Sequence, residues 1–347
     1  MKKILLLIAF FSTLIFTSCS SDENGNKSSK PTTITITSNT LEASISEVLT
    51  FSVMGNTSNS SLTSNSIFYV NGVQITGNSY IPTSNGILDV YATYSTGSGV
   101  LTSATIQITI APSINFNKRV LIEDFTGTWC GYCPRVAYAI EQVNNQTTDA
   151  TVVAIHRGSD PYNFTGATAL ETQINLQGYP TAMLNRTTEW SYPEPSYISQ
   201  AVNLTSGVNP KLGLALTTST TGNTSTVEVK VKFGKAFSDL KVVVYALEDN
   251  LIYNQTNYTA YYGGTSTIAN FEHDHVLRAV LSSSILGESI TGNTGYNDEF
   301  TKSFTYTIPS NVNSANVRFV AVVVNSSKKA LNSREAGANE TQSLEIE

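Results

Sequence analysis

"EDFTGTWCGYCPRVAYAI", Glu123–Ile140, carries two of the chain's three cysteines, with two residues between them and a tryptophan beside them. Before it runs "RVLIEDF", a nearly continuous apolar strand. After it, Val136, Ala137, Ile140 and Val143 recur at helical spacing. The pair therefore sits where a strand hands over to a helix. Cysteines so placed can form a structural clip, half of a metal site or a redox centre, and the rest of the chain must discriminate.

The N-terminus accounts for the third cysteine. "MKK" and the short apolar run "ILLLIAFFSTLIF" read as a secretory signal. The run is shorter than the roughly 20 apolar residues a membrane span needs. It ends in "FTSCS", which resembles a bacterial lipobox with Phe16 in the place of the usual leucine. The resemblance implies cleavage before Cys19 and acylation of that residue. Residues 1–18 are then a lipoprotein signal peptide, and 19–31 a polar, flexible tether. Its acidic "SDEN" resembles the export signal of surface-displayed Bacteroidetes lipoproteins.

The net charge is −6, without a basic cluster, which argues against nucleic acid as a partner. With Cys19 lipidated, an exported chain of 347 residues keeps only Cys130 and Cys133. A disulfide closing so small a loop restrains the unfolded chain little, so it is a poor staple. Zinc usually takes four ligands, and the three histidines are distant in sequence. The redox reading is preferred, and no metal or bound cofactor is expected.

Three segments follow the tether. Residues 32–112 alternate in period two, with Gly, Asn and Ser turns and a hairpin signal in "YVNGVQI", and suggest an immunoglobulin-like β-sandwich. Residues 113–207 read β-α-β-α-β-α: "RVLIEDF", the cysteine helix, "ATVVAIH", a helix in "TGATALETQINLQ" ended by Gly178, "PTAMLNR", and a last helix capped by Ser196. Residues 208–332 alternate again and suggest a second β-sandwich, with one long Tyr- and Gly-rich excursion, "NQTNYTAYYGGTSTIANFEHDH". The tail 333–347 is expected to be poorly ordered.

The cysteine pair has a mechanism. The thiolate is the reactive species, and a helix N-terminus favours an anion. Cys130 at that mouth is the attacking residue, and Cys133, one turn further in and more shielded, resolves the mixed disulfide. Here "DFTGTWCGYC" resembles the thioredoxin active-site signature. Trp129 precedes Cys130, and Asp124 lies where thioredoxins keep a buried aspartate that assists proton transfer to the resolving cysteine. "GYPT", Gly178–Thr181, is similar to the family's cis-proline loop. The resemblance implies that Pro180 packs against the pair, that the Tyr179 backbone pairs with bound peptide, and that Trp129 lines the groove. The Gly131-Tyr132 dipeptide resembles that of DsbC-type isomerases. Three departures stand: Pro134 follows the pair, "ATVVAIH" offers no lysine to Asp124, and "TTEWSYPEP" is a weak strand.

Together with "VVAIHRG", "GYPTAMLNR" and "HDHVLRAVL", residues 116–331 resemble the Omp-twenty-eight family of Bacteroidetes outer membrane proteins. That resemblance implies a multidomain, lipid-anchored protein of the outer membrane. His273 and His275 in "EHDH" offer two alternating ligands without a third, and a structural role is preferred. His156 ends a central strand and reads as a hydrogen-bonded structural histidine. The expected function is thiol–disulfide exchange on cysteine-containing envelope or surface proteins. The alternative is a binding protein or adhesin that keeps the thioredoxin-like domain as a scaffold.

Overall fold

A computed structural model describes residues 30–57 and 61–347. Cys19, the signal peptide and most of the tether lie outside the described residues. Among those described, no helix is long and apolar enough to cross a membrane. The protein is mostly β, in several sheets. It divides into two compact units, one built from the described residues of 1–39, 50–79 and 89–106, the other from 40–49, 80–88 and 107–347.

In the first unit, Ile34–Ser38 pairs antiparallel with Leu49–Gly55, and Ser66–Val70 pairs with both Val73–Ile75 and Gly86–Ser95. Inward residues alternate along each strand, as the period-two pattern requires: Ile34 and Ile36, Phe51 and Val53, Phe68 and Val70, Val90 and Ala92 are buried. The Phe51 and Phe68 rings stack at 6.0 Å. Asn71 and Gly72 both take positive φ (49° and 78°), the two-residue turn that Asn-Gly favours.

The second unit is organised by one nine-stranded sheet. Its first half is β1 (Val120–Thr126), α1 (Pro134–Asn144), β2 (Ala150–His156), α2 (Thr168–Ile174), β3 (Thr181–Leu184), β4 (Thr188–Glu189) and α3 (Ile198–Val202). β1 and β2 are parallel, and β3 runs antiparallel to β1 on its other side. Val120 and Ile122 of β1 face α1 and α3, packing with Val136, Ala139, Val143, Trp190 and Ala201. Leu121 and Phe125 face the other way, toward Leu170 of α2. With both faces covered, β1 is buried throughout, which is why its sequence shows no alternation.

The C-terminal strands are β5 (Leu212–Thr221), β6 (Thr224–Phe233), β7 (Lys241–Glu248), β8 (Leu251–Thr256), β9 (Thr267–His273), β10 (Val276–Val280), β11 (Glu288–Ser289), β12 (Glu299–Thr307), β13 (Val317–Val324) and β14 (Ala330–Gly337). The sheet runs β4-β3-β1-β2-β10-β7-β13-β14, with β11 also on β7. β10 joins β2 in parallel through Ala154 and Val276. The expected boundary between 207 and 208 thus falls between strands of one continuous sheet: β2 is apolar on both faces, and β10 fills its second edge. β5, β6 and β12 form a separate sheet that packs against one face of β7 and β13.

Three local expectations are corrected. The second helix ends at Asn175, whose left-handed φ of 55° caps it, rather than at Gly178. Ser196 does not cap the last helix; it ends a 3₁₀ turn, and Tyr197 precedes α3. The tail is held, not loose. Glu345 pairs with Arg119 (2.9 Å) and Arg334 (2.6 Å), and Ile346 bridges to Phe116.

Candidate redox site

β1 carries Asp124 and Phe125 to the end of the sheet, and the chain then turns through Gly127–Gly131 into α1. Cys130 and Cys133 are joined by a disulfide. Pro134 occupies the first helical position, where its missing N–H costs nothing, so Cys133 becomes the N-cap and Cys130 lies in the preceding turn, closed by Cys133 N–H donating to the Cys130 carbonyl (3.2 Å). The expected difference in exposure is not displayed: Cys130 is 4% and Cys133 2% exposed.

Asp124 is buried, and its Oδ1 has no hydrogen-bond partner among the described residues. Burial pushes its carboxyl well above the usual range. The Glu194 charge adds to this, and Arg135 opposes it. Asp124 and Cys133 line one cavity of about 130 Å³, together with His156, Gln255 and His273. Arg135, on the first turn of α1, forks onto Glu194 (Nη2–Oε1 3.2 Å) and lies over the Tyr192 ring.

Trp129 stands at the opposite side of the cysteine turn, 42% exposed. Its Nε1 donates to the Arg157 carbonyl (2.6 Å), and its ring meets Tyr179 edge-on at 5.6 Å. Gly158, with φ of 76°, leaves room for the indole, since a Cβ there would lie 3.0 Å from Nε1. The Tyr179–Pro180 bond is cis, and the register of β1 on β3 sets the next residue, Thr181, opposite Phe125. The Tyr179 hydroxyl donates to Glu171 (3.1 Å), which also receives the Arg157 guanidinium. The sequence-derived residues Asp124, Trp129, Cys130, Cys133, Tyr179 and Pro180 therefore gather around one strand–helix junction.

One charged residue of the site, Asp160, was not singled out from the sequence. The side chain of Asp160 is buried and accepts from Thr128 N–H (2.5 Å) and Tyr162 N–H (2.7 Å), and it pairs with His156 Nδ1 (3.0 Å). Burial would raise its carboxyl, but the His156 hydrogen bond and charge outweigh that and hold it below the usual range. The readable signal was its place four residues after a strand-ending histidine. His273 meets the His156 ring at 5.3 Å, and burial, then the His156 charge, lower its pKa to about 4. His275, with φ of 57°, has left the strand and lies 3.7 Å from Asp249. The Tyr-rich excursion is the hairpin β8–β9, and its loop lies on the cysteine turn.

The model of the family described as outer membrane protein Omp28 matches residues 167–342, half of the chain. The chain belongs to the Omp28 family. Membership makes it an outer membrane protein. The matched span includes the cis Tyr179–Pro180 bond and the hairpin, and begins after the cysteine pair. HBP35 of Porphyromonas gingivalis shares the fold of this Omp28-family chain, with a TM-score of 0.52 at 20% identity, covering 65% of this chain and 77% of that one. A domain of the outer membrane lipoprotein Omp28 from the same organism aligns at 18% identity and a TM-score of 0.25, over 38% of this chain and 90% of its own. No curated protein matches the sequence.

Proposed function

We propose that this Omp28-family chain is a lipid-anchored thiol–disulfide oxidoreductase of the cell envelope, with a thioredoxin-like central domain and Cys19 as the lipid attachment site. One observation carries the reading: Asp124, buried and with an unpartnered carboxyl oxygen, shares a cavity with Cys133 of the disulfide. A structural clip has no use for a desolvated acid beside it, and burying one without a partner is costly. An exchange centre does have a use for it, because the resolving thiol must give up and recover a proton.

In the reduced state the Cys130 thiolate attacks a sulfur of a protein disulfide, and the substrate's other sulfur leaves as a thiolate. Cys133 then passes its proton toward Asp124 and attacks Cys130 Sγ. The substrate is released as a dithiol and the Cys130–Cys133 disulfide is formed. Run backwards, the same steps deliver a disulfide to a substrate dithiol. The chemistry calls for no bound cofactor. Trp129, Tyr179 and Pro180 flank the pair as the peptide-binding side, and the substrates are cysteine-containing envelope or surface proteins.

The second reading is a binding protein that keeps this domain as a scaffold. The near-complete burial of both cysteines favours it. The test separates the two. Cys133→Ser should trap mixed disulfides through Cys130 from oxidised envelope extracts, and Cys130→Ser should trap none. Failure of Cys133→Ser to recover any adduct sinks the enzyme reading.

A further inference from the structure

The β8–β9 hairpin covers part of the cysteine turn. β8 and β9 pair only with each other among the described residues, outside the main sheet, and their connection, residues 257–266, folds over the cysteine turn. Thr256 N–H donates to the Thr128 carbonyl (2.9 Å), and Tyr258 N–H to the Gly131 carbonyl (2.7 Å). The buried Gln255 amide donates to the carbonyls of Cys130 (3.0 Å) and Gly127 (3.3 Å). The Tyr258 ring meets Tyr132 edge-on at 5.6 Å and fills the space a side chain at 131 would need, since a Cβ there would sit 2.2 Å from it. Further along, Tyr261 stacks on Tyr138 of α1 at 4.5 Å, and the Tyr262 hydroxyl donates to Glu141 (2.6 Å).

These contacts divide into two kinds. Gln255 at one end and Tyr261 at the other are anchors, buried or stacked. Between them, Tyr258 is 65% exposed and is held by one backbone bond and one aromatic edge. Lifting residues 256–260 breaks the two backbone bonds from Thr256 and Tyr258 and one aromatic edge, moves the buried Asn257, and uncovers the Cys130 side of the turn. In the closed state the hairpin occupies the Thr128 and Gly131 carbonyls, so these backbone acceptors beside the pair are closed to an incoming extended chain. A thiolate must also approach Cys130 Sγ in line with the S–S bond, which a small molecule can do in far less space than a polypeptide.

We infer that residues 256–260 are a strap over the redox pair, with Tyr258 as the residue that determines which thiols reach Cys130. Small thiols pass the closed strap, and protein thiols react only when it lifts. This rests on the oxidoreductase reading of the same site. The step gated is the attack of a substrate thiolate on Cys130 Sγ. Cys133 leaves as a thiolate and takes up a proton, and the substrate's second thiol then displaces Cys130. The substrate is oxidised to its disulfide and the pair is reduced.

The test measures reduction of the Cys130–Cys133 bond by two reductants, dithiothreitol and a reduced, unfolded lysozyme. Tyr258→Ala removes the edge contact from one side, and Gly131→Ala expels the ring from the other. Both should speed reduction by the protein thiol roughly tenfold, the scale of one lost aromatic contact, and change dithiothreitol reduction much less. Tyr258→Phe, which keeps the ring, should behave as the unmodified protein. Unchanged rates in both opened variants, or equal acceleration with both reductants, overturn the strap. Adducts trapped by Cys133→Ser with unchanged reduction rates would leave the enzyme reading standing alone. Faster protein reduction without any trapped adduct would leave the strap standing and remove the enzyme.

Discussion

Arg186 is the residue whose loss should hurt the fold most for the fewest atoms removed. It follows β3, fully buried, with Nε 3.1 Å from Glu123 Oε1 on β1 and Nη2 donating to the Ile285 carbonyl (2.9 Å) and to Tyr245 on β7. The Tyr245 hydroxyl donates to the same Glu123 oxygen (2.8 Å), whereas Glu123 Oε2 has no partner. Among the described residues, Arg186 is the countercharge that pairs with this buried carboxylate. Arg186→Met leaves that charge buried and alone, which costs about 3–5 kcal/mol. Removing both charges in Glu123→Met/Arg186→Met should recover about 2 kcal/mol or more of the loss, because the uncompensated ion is gone. Urea denaturation followed by tryptophan fluorescence reads both changes without screening the ion pair as guanidinium salt would. A loss below about 1 kcal/mol in the single variant, or a double variant no better than the single, would refute the reasoning.

Two further outcomes concern charge. Asp124 holds its proton to higher pH when folded than when unfolded, so its contribution to stability declines as pH rises from the ordinary carboxylate range through its raised value. Asp124→Asn should match the unmodified protein near pH 3.5, below the usual range of about 3.9, and gain on it steadily toward pH 8. Denaturation curves that do not diverge would contradict the assigned burial. Glu345 behaves oppositely: burial raises its carboxyl, but Arg119 and then Arg334 hold it below the usual range, so its contribution is present at neutral pH and lost as pH falls through the lowered value. Glu345→Gln should cost about 1 kcal/mol at neutral pH, since the pair is partly exposed, and little in acid. A deficit that persists unchanged in acid would show that the tail is held by something else.

Much of the site was legible because its residues carry chemistry individually. The cysteine pair, Asp124 near the end of an apolar run, and "GYPT" after a helix each stand out in the sequence, and unbroken apolar runs mark strands covered on both faces. What was not legible depends on distant pairing. Nothing in "VLRAV" says that it will lie parallel to a strand 120 residues earlier through Ala154 and Val276. The tail looked loose because its polar composition hides Glu345 between Arg119 and Arg334. The hairpin over the disulfide escaped for a further reason: its hold on the cysteine turn ends on backbone carbonyls, which every sequence offers, and only the cluster of tyrosines hinted at a surface to cover. The helix end moved from Gly178 to Asn175 because asparagine also tolerates the left-handed conformation.

The shared sheet also fixes an order of events during biogenesis. β2 finds its second neighbour only in Val276, and the amide of Arg119, just before β1, is held by Asn332 (3.0 Å). A nascent chain that has crossed the inner membrane only as far as the last helix of the central half therefore emerges with the open edge of β2 facing the periplasm. Such edges invite pairing with other chains. Closure of that edge waits for β10, about seventy residues beyond α3, a non-local pairing of the slow kind. In chain order the cysteines precede the strands and hairpin that cover them by more than a hundred residues.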